Sequence, residues 1–377
     1  MRIGSSSDWH IDAGMDEDIA SSVRQMATIF QEGKVDLIAL PGDFFDRKST
    51  ADGRNLLREL MKKLADIAPV VGCYGNHDQP GDLDIFSHII SKCPIRIYST
   101  PTILKPGHIW GLDCYMHVLP WLTKVAWVAS HPDVGKEQGD KTVSQLALQY
   151  LKSSVEMNHT QGDKHVLLAH LTVEGSMAEN QQPMIGEGIT FGRHDLMEAG
   201  FSAGIFGHIH LRQMFADVGP FFYNGSPAAM NYGEAPEKFC SILDTVTEEV
   251  EWHKLKTIDR FSLDVLWNKG YPLEIAQNDL SRVRGARVRV LLRVTEGEDL
   301  PRAKAVVEQM ILAAGALEAK VEPQVQPKEL VRAIEITKAE TLEAKLEAYW
   351  VANNNRPAEE DVLGMKGKLS LLEEQCR

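Results

Sequence analysis

Eight side chains suited to metal binding or proton transfer sit where apolar runs stop: Asp8, His10, Asp43, Asn76, His77, His170, His208 and His210. They comprise two carboxylates, one amide and five imidazoles. Asp43 shows the pattern. Residues 35–40 read as a buried strand, Pro41-Gly42 stops it, and Asp43 follows at once. In open α/β sheets, ligands are held just past the strand ends. A lone Asp there more often caps a loop or the next helix, and a lone His is more often a satisfied polar residue; the weight lies in the ordered set. Oxygen and imidazole donors without thiolates suit Mn, Fe or Zn. Seven donors are too many for one tetrahedral ion. They fit two ions sharing a carboxylate, which clamp the attacking and leaving oxygens of an in-line phosphoryl displacement.

The elements that must position these residues alternate. Residues 2–7 read as a strand ending at Asp8-Trp9-His10, and Ile19, Val23, Met26 and Phe30 recur at helical spacing up to Gly33. After the 35–40 strand, Leu56, Leu57, Leu60, Met61 and Leu64 form a helix face, and a strand over 69–74 leads into Gly75-Asn76-His77-Asp78. This order predicts βαβ units with a parallel core. Further strand with loops is expected over 103–128, a polar loop over 132–141 and a helix over 142–157. A strand over 165–169 then delivers His170, a short helix lies near Asp195, and a strand over 202–206 ends at Gly207-His208-Ile209-His210. Residues 214–223 and 239–254 read as antiparallel strands.

After about residue 257 a compact α+β module is expected, with strands over 286–294 and 317–325 around a helix over 299–314. The last part reads as a helix over 339–351, a break at Asn353-Asn354-Asn355, and a second helix with Pro357 in its first turn.

The chain has 377 residues, 44% of them hydrophobic and 25% charged, which predicts an ordinary multi-domain globular protein. No apolar run approaches a membrane span, and no signal-peptide segment opens the chain. Cys73, Cys93, Cys114, Cys240 and Cys376 are scattered and never spaced as CxxC, which points to a reducing, cytoplasmic interior. The net charge of −13 argues against wholesale adhesion to nucleic acid. It leaves room for a nuclease whose positive field comes from bound metals and local basic patches.

Asp8-Trp9-His10, Gly42-Asp43-Phe44-Phe45-Asp46-Arg47, Gly75-Asn76-His77-Asp78, His170 and Gly207-His208-Ile209-His210, in this order, resemble the calcineurin-like metallophosphoesterase signature. Leu119-Pro120-Trp121-Leu122 and Tyr223-Asn224-Gly225-Ser226-Pro227 look like its SbcD-type DNA repair nucleases. The resemblance is strong to about residue 235 and a matter of layout beyond. It implies an α/β fold: a metallophosphoesterase β-sandwich flanked by helices, a small α+β capping domain and a C-terminal helical tail. The implied domains are residues 1–256 (nuclease), 257–327 (capping, DNA-binding) and 328–377 (docking).

The resemblance further implies two divalent ions, Mn2+ in most members. Asp8, His10 and His210 would hold one, and Asn76, His170 and His208 the other, with Asp43 bridging and His77 protonating the leaving oxygen. Asp46 and Arg47 would be peripheral or substrate-facing. The implied activity is a DNA exonuclease, 3′–5′ on duplex, with endonuclease activity beside it. The implied partners are DNA and an SbcC-like coiled-coil ATPase, in a heterotetramer built on a homodimer. Rival readings are another phosphoesterase on the same scaffold (cyclic-nucleotide phosphodiesterase or protein phosphatase) and a catalytically silent DNA-binding scaffold. Arg282, Arg284, Arg287 and Arg289 form a basic run that reads either as a solvated sheet face or as a DNA-backbone contact.

Overall fold

The structure is a computed structural model. It describes residues 1–11, 14, 16–107, 111–122, 140–159, 162–178, 188–234, 237–268, 271–273, 282–295, 297–326, 341–353, 356–359, 361–362, 364–366 and 368.

The chain opens with β1 (Arg2–Ser5), α1 (Asp16–Glu32), β2 (Leu37–Leu40), α2 (Ala51–Ala65), β3 (Val70–Cys73) and β4 (Ile95–Tyr98). It continues through β5 (Thr102–Leu104), β6 (Tyr115–Leu119), α3 (Asp140–Glu156), β7 (His165–His170), β8 (Thr172–Val173), β9 (Thr190–Phe191) and α4 (Arg193–Glu198). Then come β10 (Ala203–Gly207), β11 (Gln213–Met214), β12 (Phe221–Tyr223), β13 (Lys238–Asp244) and β14 (Val250–Leu255). The remainder is β15 (Arg260–Asn268), β16 (Tyr271–Leu273), β17 (Arg287–Thr295), α5 (Leu300–Ala313), β18 (Glu318–Gln326) and α6 (Leu342–Asn353).

Two six-stranded sheets form the main body, in the orders β14-β13-β1-β2-β3-β4 and β11-β12-β10-β7-β6-β5. β1 to β4 run parallel in the first, and β6, β7, β10 and β12 in the second. Their inner faces share one core, in which Ile3, Leu37, Ala39 and Val71 meet Met116, Val166, Leu168 and Ile205. The helical repeat of α1 buries Ile19, Val23, Met26 and Phe30 against the outer face of the first sheet, beside Leu57, Leu60, Met61 and Leu64 of α2. Acidic Asp16, Glu17 and Asp18 occupy the first turn of α1, where the helix dipole favours them. Thr50 starts α2 by accepting from the Gly53 N–H. Across the second sheet, Val143, Ala147, Leu151 and Val155 of α3 pack on Leu167 and Ala169.

A third sheet has the order β16-β15-β17-β18. By internal contacts the chain divides into one unit of residues 1–264, 275–291 and 307–322 and another of 265–274, 292–306 and 323–377. The first contains both six-stranded sheets. Among the described residues no helix is long and apolar enough to cross a membrane.

The alternation of strands and helices follows the sequence reading in outline, with several departures, among them β4, which the sequence reading did not include. His170 is the last residue of β7 rather than the residue after it, because the strand hydrogen-bonds one rung further, opposite Gly207. Asp140 and Lys141, expected in a loop, begin α3; the rest of 132–141 and residues 123–128 lie outside the described residues. β15 was not anticipated, although Phe261, Leu263, Val265 and Trp267 alternate with exposed or half-exposed residues along it. That period of two is the signature of a strand with one buried face. The second helix of the tail is described in part between Glu359 and Lys368, and Val362 there is buried.

Candidate metal centre

The C-terminal ends of β1, β2 and β3 release Asp8, Asp43 and Asn76 at one edge of the first sheet. The ends of β7 and β10 bring His170, His208 and His210 to the matching edge of the second. Both sets meet because each sheet is parallel there, so the loops emerge on the same side.

The backbone is bent hard to achieve this. Asp8, His10, Asp43 and His208 have φ of 55°, 45°, 55° and 100°. Non-glycine residues rarely adopt this region, and such strain gathers at functional sites. The glycines ahead of these residues allow close approach. A Cβ on Gly75 would stand 2.1 Å from Asp43 Oδ1, and one on Gly207 would stand 2.1 Å from the Pro41 carbonyl oxygen.

The donor atoms face one another. His10 Nε2 and His210 Nε2 are 3.0 Å apart, and Asn76 Oδ1 lies 2.8 Å from His170 Nε2 and 2.9 Å from His208 Nδ1. Asp43 Oδ2 stands between the two groups, 3.6 Å from His10 Nε2 and 3.4 Å from His170 Nε2. Asp8 joins both, since it clusters with His10 and His210 and also with Asp43 and His170, within 4.8 Å in each case.

These separations fit a metal. Ligands about 2.1 Å from one ion stand roughly 3.0–3.4 Å apart in octahedral or tetrahedral arrangement. A second observation agrees: Asp8 Oδ1 accepts from the His208 N–H at 2.8 Å, while Asp8 Oδ2 is buried without a hydrogen-bond partner. A buried carboxylate oxygen left so is costly unless a cation completes it.

The electrostatics point the same way. Burial acts to raise Asp43, but the His170 and His10 imidazoles outweigh it and hold its carboxyl well below the usual range. Burial acts to lower His170, but Asp43 and Asp8 outweigh it and lift His170 to about 9. Burial, then the His170 charge, depress His208 to about 4. A pocket whose carboxylates raise the basicity of buried imidazole has a negative potential suited to divalent cations.

His170 Nδ1 donates to the Pro41 carbonyl at 2.7 Å, which orients the ring and leaves Nε2 as the nitrogen that would face a metal. His77 is held similarly: Nδ1 donates to the Asp46 carbonyl at 2.7 Å, and its backbone N–H donates to Asp43 Oδ1 at 2.9 Å. The ring borders a cleft of 450 Å³ together with His10, Asp46 and His210.

The calcineurin-like phosphoesterase family model matches residues 1–212, which include every residue of this centre. The chain belongs to that family. Members of that family use a dinuclear metal site, and the two donor groups joined here through Asp43 and Asp8 are in keeping with one. The SbcD component of the nuclease SbcCD from Bacillus subtilis (strain 168) is 26% identical over 308 residues, 75% of this chain and 74% of that one. Among solved structures, a dimetal phosphatase from Danio rerio aligns at 13% identity and TM-score 0.42, over 64% of this chain and 91% of that one. A purple acid phosphatase from yellow lupin (Lupinus luteus) seeds aligns at 12% identity and TM-score 0.41, over 69% and 53%.

In this phosphoesterase the remaining sequence candidates fall in different places. Asp46 lies on the cleft wall, its Oδ1 3.5 Å from His10 Nδ1, and forms a third cluster with His10 and His77. Arg47 is 75% exposed and its Nε lies 3.5 Å from Asp46. Arg282 and Arg284 are exposed, with Arg282 over the Phe261 ring. Arg287 pairs with Asp18 at 3.3 Å and Glu318 at 2.9 Å, and Arg289 donates to Ser262 Oγ at 3.0 Å.

The sequence reading gave Asp78 no role. Its carboxylate accepts from the N–H groups of Asp43, Phe44, Phe45 and Gly75 at 2.8–3.2 Å. Its place beside Asn76 and His77 in one turn was the available signal; the bonds to Asp43 and its neighbours, over thirty positions earlier, were not legible.

Proposed function

We propose that this chain is a manganese-dependent DNA nuclease that works with an SbcC-like coiled-coil ATPase. The observation that carries the reading is the convergence of all seven donors on one cluster, in a chain similar over three quarters of its length to a nuclease component.

In this reading Asp8, His10 and His210 hold one ion and Asn76, His170 and His208 the other, with Asp43 shared. When bound, two divalent ions lower the pKa of water and neutralise phosphoryl oxygens in an in-line displacement. The chain supplies the rest. Asp43 and Asp8 fix the spacing of the two donor groups, and the loop bonds to Asp78 keep Asp43 in its strained conformation. His77, with Nδ1–H committed to the Asp46 carbonyl, would act through Nε2 as the acid that gives a proton to the leaving oxygen as the phosphorus–oxygen bond breaks.

The basic run at Arg282, Arg284, Arg287 and Arg289 is read as a backbone-contact surface. Arg282 and Arg284 would contribute most, because Arg287 already serves Asp18 and Glu318. The tail from residue 328 is read as the ATPase docking element, supported by exposed Tyr349, Val351 and Met365.

A substrate panel in manganese tests the reading: linear duplex, hairpin, single strand, cyclic nucleotide and phosphopeptide. Cleavage of DNA, duplex above the rest, is expected. Turnover confined to the cyclic nucleotide or phosphopeptide would place the chain with the small-substrate phosphoesterases instead.

A further inference from the structure

The 450 Å³ cleft is lined by His10, Asp46, His77 and His210 of the metal centre and also by Asn231 and Arg260. Among its described lining residues Arg260 is the one Lys or Arg. A protein of net charge −13 thus places a guanidinium beside the cluster that would handle a phosphodiester.

Arg260 and Asn231 are each held by a buried carboxylate. Arg260 opens β15 with a side chain only 10% exposed, and its Nη2 donates to Asp18 Oδ2 at 2.9 Å. Asp18 is buried in the first turn of α1 and also takes Arg287 at 3.3 Å, so its carboxylate is braced from two sides. Asn231 is held by Glu234, whose Oε1 accepts from its backbone N–H at 2.7 Å and its Nδ2 at 3.0 Å. Glu234 is itself buried and paired with Lys238 at 2.9 Å. Side chains locked by buried partners lose little entropy when they grip a ligand.

A guanidinium has five N–H donors in a planar fork that matches phosphate geometry. The scissile phosphate would be held by the metal-centre residues, which leaves a guanidinium elsewhere in the same cleft to meet a different phosphate. We propose that Arg260, flanked by Asn231, forms a subsite for a phosphate neighbouring the scissile one. The cleft would thereby select a polynucleotide over an isolated diester. This inference rests on the nuclease reading and names the feature that gives it substrate preference.

The test uses the full chain, a short fluorescein-labelled duplex and bis(p-nitrophenyl) phosphate, which has a single phosphodiester. In EDTA, Arg260→Gln is expected to weaken duplex binding about ten-fold and to reduce the slope of log K against log salt by about 1. Arg260→Lys, which keeps the charge without the fork, should restore the slope but only part of the affinity. In manganese, the ratio of kcat/KM for duplex to kcat/KM for the small diester should fall about ten-fold in Arg260→Gln, mainly through KM. Thermal unfolding reports whether Asp18 tolerates the change; if the Gln variant does not fold, the Lys variant carries the comparison. Wild-type affinity, slope and ratio in a folded variant would overturn the subsite and leave Arg260 as a brace for Asp18. If the wild-type chain hydrolyses the small diester but never the duplex, the nuclease reading itself fails.

Discussion

Asp78 accepts N–H groups from the loops after β2 and β3, and so ties the bridge candidate Asp43 to the turn that carries Asn76 and His77. Burial and the neighbouring Asp43 charge raise Asp78 toward about 7, against the pull of the N–H donors. Asp78→Ala would leave several buried donors unpaired, each costing about 1–3 kcal/mol. The expected outcome is a loss of more than about 3 kcal/mol in denaturant unfolding and weaker manganese binding by calorimetry. Unchanged stability would show that Asp43 holds its conformation unaided. His77 tests the chemistry separately. His77→Ala should keep manganese binding yet lower duplex cleavage by about 10²–10⁴. Full activity in that variant would remove the ring from proton transfer.

At the level of elements, β6, β7 and α3 enclose a polar relay away from the metal centre. Ser154 Oγ donates to the Leu151 carbonyl, so His117 Nδ1 donates to Ser154 Oγ at 2.9 Å, and His165 Nδ1 donates to His117 Nε2 at 2.9 Å. Tyr115 stacks on His165, with His159 on the same ring and Asp163 nearby. A second proton on His117 Nε2 would meet the His165 Nδ1–H, a donor rather than an acceptor. Burial, then the neighbouring His165, lower His117 to about 4. Because the folded pKa is below the unfolded value of about 6.5, this stabilisation is complete above 6.5 and is lost as pH falls toward 4, roughly 3 kcal/mol in all. Melting curves at stepped pH should show that decline, and His117→Gln should flatten it. An equally steep decline in the variant would place the titration elsewhere. On the first sheet, Thr50→Ala removes the cap of α2 and should cost about 1 kcal/mol in denaturant unfolding, with the activity of the centre retained.

For the whole molecule, the division of labour is what is open to test. Both six-stranded sheets and the metal centre lie within the first unit, whereas residues 323–377 belong to the second. Removing residues 328–377 is therefore expected to leave manganese-dependent DNA cleavage within about three-fold of the intact chain while abolishing capture of the ATPase by pull-down. Retained capture would move the docking surface off α6 and the segment that follows it. The net charge of −13 sets a second expectation at this scale. Nonspecific DNA affinity should fall steeply with salt only as far as local basic groups such as Arg260, Arg282 and Arg284 allow.

The sequence by itself determined the alternation of strands and helices in outline and picked out the residues proposed as donors. Both are local: apolar period marks each element, and each candidate donor lies at a strand end or within a few residues of one. Asp8, Asp43, Asn76, His170, His208 and His210 were legible because a parallel sheet sends its loops to one edge, whatever the details of packing. The tertiary structure alone decided what lies across long chain separations. Asp78 under Asp43, Asp18 bracing Arg260 and Arg287, and the His117–His165 relay join residues whose partners no sequence spacing announces. The same holds for the basic run, where burial and pairing separate exposed Arg282 and Arg284 from Arg287, already engaged with Asp18 and Glu318. A side chain's chemistry is written in its residue type, but its charge balance depends on which distant backbone folds against it.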